Sequence, residues 1–407
     1  MTDFTIICLS LSRHDSAISS PALSLAKEFA RNNRVFYIDH PFSWKDFISE
    51  YSTQAVQTRK KALLGGSNPY IQPAGFPERL TVVTAPLTLP VNFLPESLLY
   101  RKLSAINDRI LFRLIRKIIQ EHKLRRFIFI NFFDPFFCRG FPDDIRPLLS
   151  VYQSMDDIAE VSYTRKHGMR LEKEIIRSSD FTLCTSRQLT RMHGASSPHV
   201  HYHPNGAATE LFEQALDPKL EVPGELNGIV QSIIGFTGSI DYRSDGLLLE
   251  ALVRHFSEAI ICFVGPVLDH ELAARLKKYP NVLFTGPRKL EELPAYLKSF
   301  SCTIIPYACN KLTSSIYPLK INEYLAAGKP VVSTRFSEDI ENFSPVIYLA
   351  ASHAEFIALT EKAISDDNKD LQQIRTAFAR KNNWQNRVEA FWEIARQYLP
   401  PDDTVDA

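Results

Sequence analysis

Short apolar runs, each followed by a stretch of helical period, recur along this chain in two separate series. That alternation admits few architectures. In the first series Phe4–Ser12, Arg34–His40, Leu80–Ala85, Phe127–Phe133, Ser150–Met155, Phe181–Ser186 and His199–Pro204 read as strands. Pro21–Arg31, Glu96–His122 and Val161–Ser178 read as helices between them. The second series has strands at Ser232–Gly238, Ala259–Gly265, Val282–Gly286, Cys302–Tyr307, Pro330–Thr334 and Val346–Ala350. Its helices fall at Asp245–Phe256, Asp269–Lys278, Leu290–Phe300 and Pro318–Ala327, followed by His353–Asp366, Asn368–Asn382 and Trp384–Tyr398. Strands that are apolar almost throughout suit parallel sheets covered on both faces.

The reading is α/β, with two Rossmann-like, doubly wound domains facing a cleft. A chain of 407 residues is too long for one ordinary core. Residues 214–230 carry little pattern and read as the linker, which divides the chain into 1–215, 216–383 and a last helix with tail, 384–407. That last helix is expected to pack back on the first domain. Residues 41–78 are poorly patterned and read as an insertion or mobile loop, and the acidic tail after Pro400 reads as loose. Ligands of such sheets bind outside the carboxyl ends of the strands.

Composition narrows the class. Apolar residues make up 45% and charged residues 23%, as in a soluble globular protein, and the net charge of +1 gives no field for nucleic acid. The six cysteines include no C-x-x-C pair and read as reduced core residues, not a disulfide frame or zinc site. The amino-terminal segment lacks a basic leader and reads as a strand, and no window has the run of apolar residues a membrane span needs. A cytoplasmic location is expected.

The segment Pro318–Val332 carries the chemistry. It reads as a helix start, a short helix with an apolar face at Ile321 and Leu325, a stop at Gly328-Lys-Pro330, and a buried strand. Lys320 and Glu323 project from nearly one face near the helix start, where unpaired N–H groups attract anions. A lysine there suits a phosphate, and a carboxylate one turn on suits a ribose diol. A surface ion pair between the two is the competing reading. Three loops converge on this pair in a doubly wound sheet. One follows the strand ending at Gly238 and brings Arg243 as a second cation. Another carries Arg288, and the third is Asn310–Tyr317, where capping by Thr313, Ser314 or Ser315 competes with ligand binding. No G-x-G-x-x-G, Walker A or Asp-x-Asp sequence is present, so no dinucleotide cofactor and no metal of that kind is expected.

Ile234–Ser239, Phe263–Pro266, Asn281–Pro287 with Leu293–Leu297, Cys302–Tyr307 and above all Pro318–Val332 are similar to the nucleotide-sugar domain of GT-B glycosyltransferases. The likeness is to the broad group containing glycosyltransferase family 4. Asp180–Ser186 and His203-Pro-Asn205-Gly206 resemble that group's hinge-side elements, which places Asn205 where the domains meet. The resemblance implies metal-independent, retaining transfer of a sugar from a UDP-, GDP- or dTDP-sugar to a saccharide or lipid-linked acceptor in cell-surface polysaccharide biosynthesis. The first domain would bind the acceptor. Lys320 would sit on the diphosphate and Glu323, the second glutamate of an E-x7-E pattern, on the ribose. Gly238, Arg243, Arg288, Ser315, Tyr317 and Leu319 would line the donor. Ser315 stands where that pattern has its first glutamate, which is the departure of this chain from the group. A nucleotide-sugar 2-epimerase and a non-catalytic nucleotide-sugar scaffold are the alternatives.

Near the acceptor, Asp157 at a strand end and His14 in the first loop are the catalytic candidates, with Arg13, Asp15, Asp134 and Asp156 beside them. Helix capping by Asp156 or Asp157 competes. Residues 100–126 hold nine Lys/Arg against two acids in an amphipathic pattern. This suits contact with an anionic membrane at the inner face of the plasma membrane, or a core helix with a solvated basic face.

Overall fold

The computed structural model describes residues 3–16, 20–160 and 163–400. The chain divides into two compact units, Met1–Pro204 with Val388–Ala407, and Asn205–Arg387. The division thus falls earlier than the 215/216 position read from the sequence. Part of the stretch read as linker is structured: Glu213–Leu216 forms a 3-10 turn and Leu226 is buried in the core of the second unit.

The first unit holds one eight-stranded sheet. Its strands are β1 (Thr5–Ser10), β2 (Arg34–Ile38), β3 (Tyr70–Ile71), β4 (Leu80–Val83), β5 (Ile128–Phe132), β6 (Leu149–Ser154), β7 (Phe181–Cys184) and β8 (Val200–Tyr202). They lie in the order β3-β4-β2-β1-β5-β6-β7-β8. All neighbours are parallel except β3, which pairs antiparallel with β4 through Tyr70 and Val83. The order reverses between β1 and β5, so their carboxyl ends mark the switch point where a doubly wound sheet opens a crevice.

The second unit holds six parallel strands: β9 (Ile233–Thr237), β10 (Ile260–Val264), β11 (Val282–Gly286), β12 (Cys302–Ile305), β13 (Val331–Thr334) and β14 (Tyr348–Ala350). Their order is β11-β10-β9-β12-β13-β14, with the reversal between β9 and β12. Helices Gly246–His255 and Leu319–Ala326 cover the sheet, and the core between them runs from Phe236 and Leu248 to Ile321 and Leu325.

Residues 41–78 are not an unpatterned insertion. They contain helices Trp44–Ser49 and Gln54–Leu63 and the edge strand β3. The first helix starts in a reciprocal cap, with Ser43 and Asp46 satisfying each other's backbone N–H groups, and Thr53 caps the second. Both hide few apolar groups, Phe47, Val56 and Leu63 among them, which is why periodicity alone does not reveal them. Helix Arg187–Gly194, capped by Ser186, is likewise absent from the sequence reading, and the helix expected from Val161 begins at Gly168. Residues 161 and 162 and the tail after Pro400 lie outside the described residues.

The long helix Leu98–Glu121 uses its apolar face for the core: Leu111, Leu114, Ile115 and Ile118 are buried in the first unit. Its amphipathic pattern is therefore that of a core helix. Leu98 (76% exposed) and Leu99 (57% exposed) remain at its solvent-facing start, with Lys102, Arg109 and Arg113 exposed further along. Among the described residues no helix is long and apolar enough to cross a membrane. The last helix, Trp384–Ala395, sets Phe391 and Trp392 against Phe29, and Trp392 also meets Phe4. Five cysteines are buried, Cys309 is exposed, and all six are free thiols.

Candidate functional site

At the carboxyl end of β9 the backbone is built for close approach. Gly238 has φ +140°, and its N–H donates to the Val264 carbonyl at 2.8 Å. Gly265 (φ +152°) packs so tightly on it that a Cβ there would lie 2.2 Å from the Gly238 oxygen. Side chains are excluded from both positions by contact and by backbone conformation. The Lys320 side chain crosses this floor: a Cβ on Gly238 would come 2.3 Å from Lys320 Cε. The Lys320 ammonium also stands 5.9 Å from the centroid of Phe236 on β9.

Helix Leu319–Ala326 holds that lysine in its first turn and is locked to β9 by its own Tyr324. The Tyr324 hydroxyl accepts from the Thr237 N–H at 2.8 Å and donates to the Thr237 carbonyl at 3.3 Å. One turn on from the helix start lies Glu323, whose carboxyl is pushed up to about 7 by burial, with the Lys320 charge acting in the opposite direction. Among the described residues the two form no ion pair, so the surface-pair reading is not what the structure shows. A half-buried lysine beside bare backbone and a buried carboxylate awaiting hydrogen-bond donors together suit a diphosphate and a diol.

Several expected donor contacts are occupied otherwise. Arg243 is held by Asp241, with Nε donating to Oδ1 at 2.9 Å and Nη2 to Oδ2 at 2.5 Å, so it is not a free second cation. Arg288 stands at the end of edge strand β11, with β10 between it and β9. Its guanidinium donates to Glu225 at 2.7 Å and to the Tyr296 hydroxyl, which itself donates to Glu225 at 2.6 Å; the tyrosine's hydrogen bond first, and the arginine's after it, hold the Glu225 carboxyl down at about 2. The Leu319 N–H donates to the Tyr317 carbonyl at 2.9 Å, which removes it from the anion-binding set. Pro318 is the residue before the helix, not its first member. Ser315 is buried and donates to the Leu312 carbonyl at 2.8 Å. The buried Tyr317 hydroxyl accepts from Asn322 Nδ2 at 3.2 Å. Thr313 lies within the reciprocal cap of the short helix Lys311–Ser314, with Asn310 as its cap. The loop after β9 does reach the loop after β12, where the Asp245 N–H donates to Pro306 and the Ala308 N–H to Arg243.

Asn205 is the first residue of the second unit. Its carbonyl accepts from Arg387 Nε at 3.3 Å, and its buried side-chain oxygen has no hydrogen-bond partner among the described residues.

In the first unit the loop after β1 forms a second constellation. His14 Nδ1 lies 2.8 Å from Asp39 Oδ2, and the His14 N–H donates to Asp39 Oδ1, also at 2.8 Å. One carboxylate oxygen thus holds the ring and the other the backbone N–H of the same residue, and the short ring contact assigns the Nδ1 proton, leaving Nε2 as the acceptor. Buried Arg59 lies 3.3 Å from Asp39 Oδ2 and pairs with Asp15 at 2.8 Å. Phe76 meets the His14 ring edge-on. Arg59 and Phe76 both come from residues 41–78, so that segment helps to build the site.

Asp157 is mostly buried and accepts from the Ala159 N–H at 3.0 Å, which makes it the cap of the turn after β6. Asp134 is fully buried and binds His40 Nδ1 at 2.7 Å. Asp39, His40 and Arg59 are absent from the sequence reading. The signal for the first two was a polar pair, Asp39-His40, closing an apolar strand. Arg59 had none, since it sits on a weakly patterned helix. Among the described residues no cluster of His, Cys, Asp or Glu is placed to hold a metal ion.

Residues 231–366, within the second unit, match the family model described as glycosyl transferases group 1. A Bacillus subtilis (strain 168) protein named as a teichuronic acid biosynthesis glycosyltransferase, TuaH, is 28% identical over 235 residues, 54% of this chain and 58% of that relative. The chain thus spans somewhat over half the length of the curated relative it matches. Among solved structures, sucrose-phosphate synthase from Thermosynechococcus elongatus superposes with TM-score 0.65 at 12% identity, over 97% of this chain and 98% of that one. HepE of Anabaena in complex with UDP gives 0.58 at 14% identity, over 97% and 100%. By fold and by the matched segment, the chain is a GT-B protein that resembles the group 1 glycosyl transferases.

Proposed function

We propose that this chain transfers a sugar from a nucleotide-diphosphate sugar to a saccharide or lipid-linked saccharide, in cell-surface polysaccharide biosynthesis. The observation that carries the reading is Lys320 laid across Gly238 at the switch point of the second sheet, with buried Glu323 one turn on. Breaking the glycosyl–phosphate bond leaves charge on the diphosphate. Lys320 and the bare backbone of Gly238 would stabilise that charge most in the transition state. In this reading they do the work that a metal does elsewhere. Glu323 would accept hydrogen bonds from the ribose hydroxyls. The UDP bound by HepE supports trying uridine donors before GDP- or dTDP-sugars, and the relative from Bacillus supports a wall polysaccharide as product.

The acceptor hydroxyl must lose a proton. In a retaining reaction the departing phosphate takes it, and in an inverting one a protein base does. The His14 ring fixed by Asp39 favours the inverting reading, with Nε2 as the base, over Asp157, whose carboxylate is engaged as a cap. The anomeric proton coupling of the product, measured by NMR, decides between them. Retention would leave His14 a positioning role. In either case nucleotide release should depend on added acceptor, whereas an epimerase would convert the donor alone.

A cytoplasmic enzyme that rests on the inner face of the plasma membrane completes the proposal. Support comes from exposed Leu98 and Leu99 at the start of a helix that also exposes Lys102, Arg109 and Arg113 further along. Sedimentation with anionic vesicles at low and moderate salt tests it, and absence of binding at both would remove the membrane from the account.

A further inference from the structure

The first unit contains a cavity of about 130 Å³ that none of the donor chemistry uses. It opens at the carboxyl ends of β2 and β5. Its polar wall is His40, whose Nδ1 is bound to the fully buried Asp134 and whose Nε2 lies 3.1 Å from the Tyr163 hydroxyl. Ser43, Lys45, Asp46 and Asn92 add further polar groups to the lining, and aromatic rings supply its flat faces. Phe137 packs 5.8 Å from the His40 ring, Phe136 lies 5.5 Å from the Tyr163 ring, and Phe93 (68% exposed) stands at the mouth.

The wall bearing Phe93 is tied in place near its start. Asn107 on the long helix accepts from the Leu89 N–H at 2.8 Å and donates to the Leu89 carbonyl at 3.0 Å. The cavity is thus preformed, and its imidazole is set by a buried carboxylate and not by solvent. The Asp134 contact assigns the Nδ1 proton, so Nε2 and the Tyr163 hydroxyl share one further proton between them and can turn to a ligand hydroxyl.

We infer that this cavity is a monosaccharide subsite for the acceptor, with His40 as its hydrogen-bonding residue and the aromatic rings as the platform for the sugar's C–H face. The inference rests on the transferase reading above and names where its acceptor sits. Three features support it. Sites for drug-sized ligands run to about 300–1,000 Å³, so this volume suits one ring and not a nucleotide. Flat aromatic faces beside a few fixed polar groups match a ring that has C–H on its faces and hydroxyls on its rim. Finally, His40 follows directly on Asp39, the residue that holds His14, and Arg13 Nε donates to the His40 carbonyl at 3.2 Å. A sugar in the cavity would therefore lie beside the proposed base.

Saturation-transfer NMR with methyl glycosides of a neutral hexose, an N-acetylhexosamine and a hexuronic acid tests this on the full chain. The comparison is of wild type with His40→Ala, Phe93→Ala and Tyr163→Phe. Phe93 and Tyr163 are largely exposed, so their variants should fold even if His40→Ala does not. At least one glycoside should show transfer to its ring protons on wild type, weakened about tenfold in the variants. Stabilisation by UDP, read on the same samples, should be unchanged. No glycoside signal on wild type, or equal signals in all variants, overturns the subsite. Loss of UDP stabilisation in wild type with the glycoside pattern intact would leave a saccharide site standing and speak against the transferase reading instead.

Discussion

Lys320 lies over Gly238 so closely that a single methyl group on the glycine would come within 2.3 Å of the lysine's Cε. The close approach of the lysine and the bareness of the backbone are one feature. A Gly238→Ala substitution would place a side chain at φ +140°, at a cost of roughly 1–3 kcal/mol, and would displace Lys320 as well. Donor affinity measured by calorimetry should fall about tenfold or more. Unchanged affinity would show that Lys320 need not sit where the structure has it.

Arg243 provides the contrast. Because Asp241 already holds its guanidinium, Arg243→Ala should weaken donor binding by no more than about threefold, while Lys320→Ala weakens it by tenfold or more. Equal losses in the two titrations would mean that Arg243 leaves Asp241 for the phosphate.

Glu323 predicts a pH dependence of stability in the ligand-free protein. Its carboxyl is raised by burial from its ordinary value of 4.5 to about 7. The folded state therefore prefers the protonated form. The stability this contributes is fully present below about 4.5 and lost as pH rises through about 7. Glu323→Gln removes the loss, so in urea unfolding the variant should gain on wild type from acid to alkaline pH, by about 3 kcal/mol near pH 8. A difference that stays constant across pH would contradict the burial argument.

Much of the fold was legible because parallel strands buried on both faces are apolar almost throughout. β1, β5 and β9 announce themselves in this way. Helices that hide only one or two apolar groups, such as Trp44–Ser49, carry no such period. Only their caps mark them, and Ser43-x-x-Asp46 was there to be read. The same logic divides the site. Lys320 and Glu323 sit on one short helix, and their spacing shows it. His14 and Asp39 are brought together by pairing of β1 with β2, and Arg59 joins them from a helix of weak pattern. Spacing also says nothing about prior engagement, which is how Arg243, Arg288 and Leu319 came to be expected at the donor.

The His14–Asp39 pair predicts a separation of binding from turnover. His14→Ala should lower turnover about a hundredfold or more while leaving donor affinity unchanged. Asp39→Asn, which keeps the shape but favours the wrong imidazole tautomer, should lower it nearly as much. If both variants turn over at the wild-type rate, the proton is taken elsewhere and the retaining reading gains.

Trp392 anchors the last helix against Phe4 and Phe29. Trp392→Ala should destabilise the first unit by about 3–5 kcal/mol in chemical unfolding. An unaltered unfolding curve would show that the helix contributes little to that core.

The claim on which the rest depends is that the second unit clamps a nucleotide diphosphate through Lys320 and Glu323. Thermal stabilisation of wild type, Lys320→Ala and Glu323→Ala by UDP, GDP and dTDP tests it most directly. At about 100 times its dissociation constant the right nucleotide should add about 2.7 kcal/mol to wild type, and that gain should be lost in both variants. Stabilisation by none of the three, or a gain that survives in both variants, would contradict the clamp.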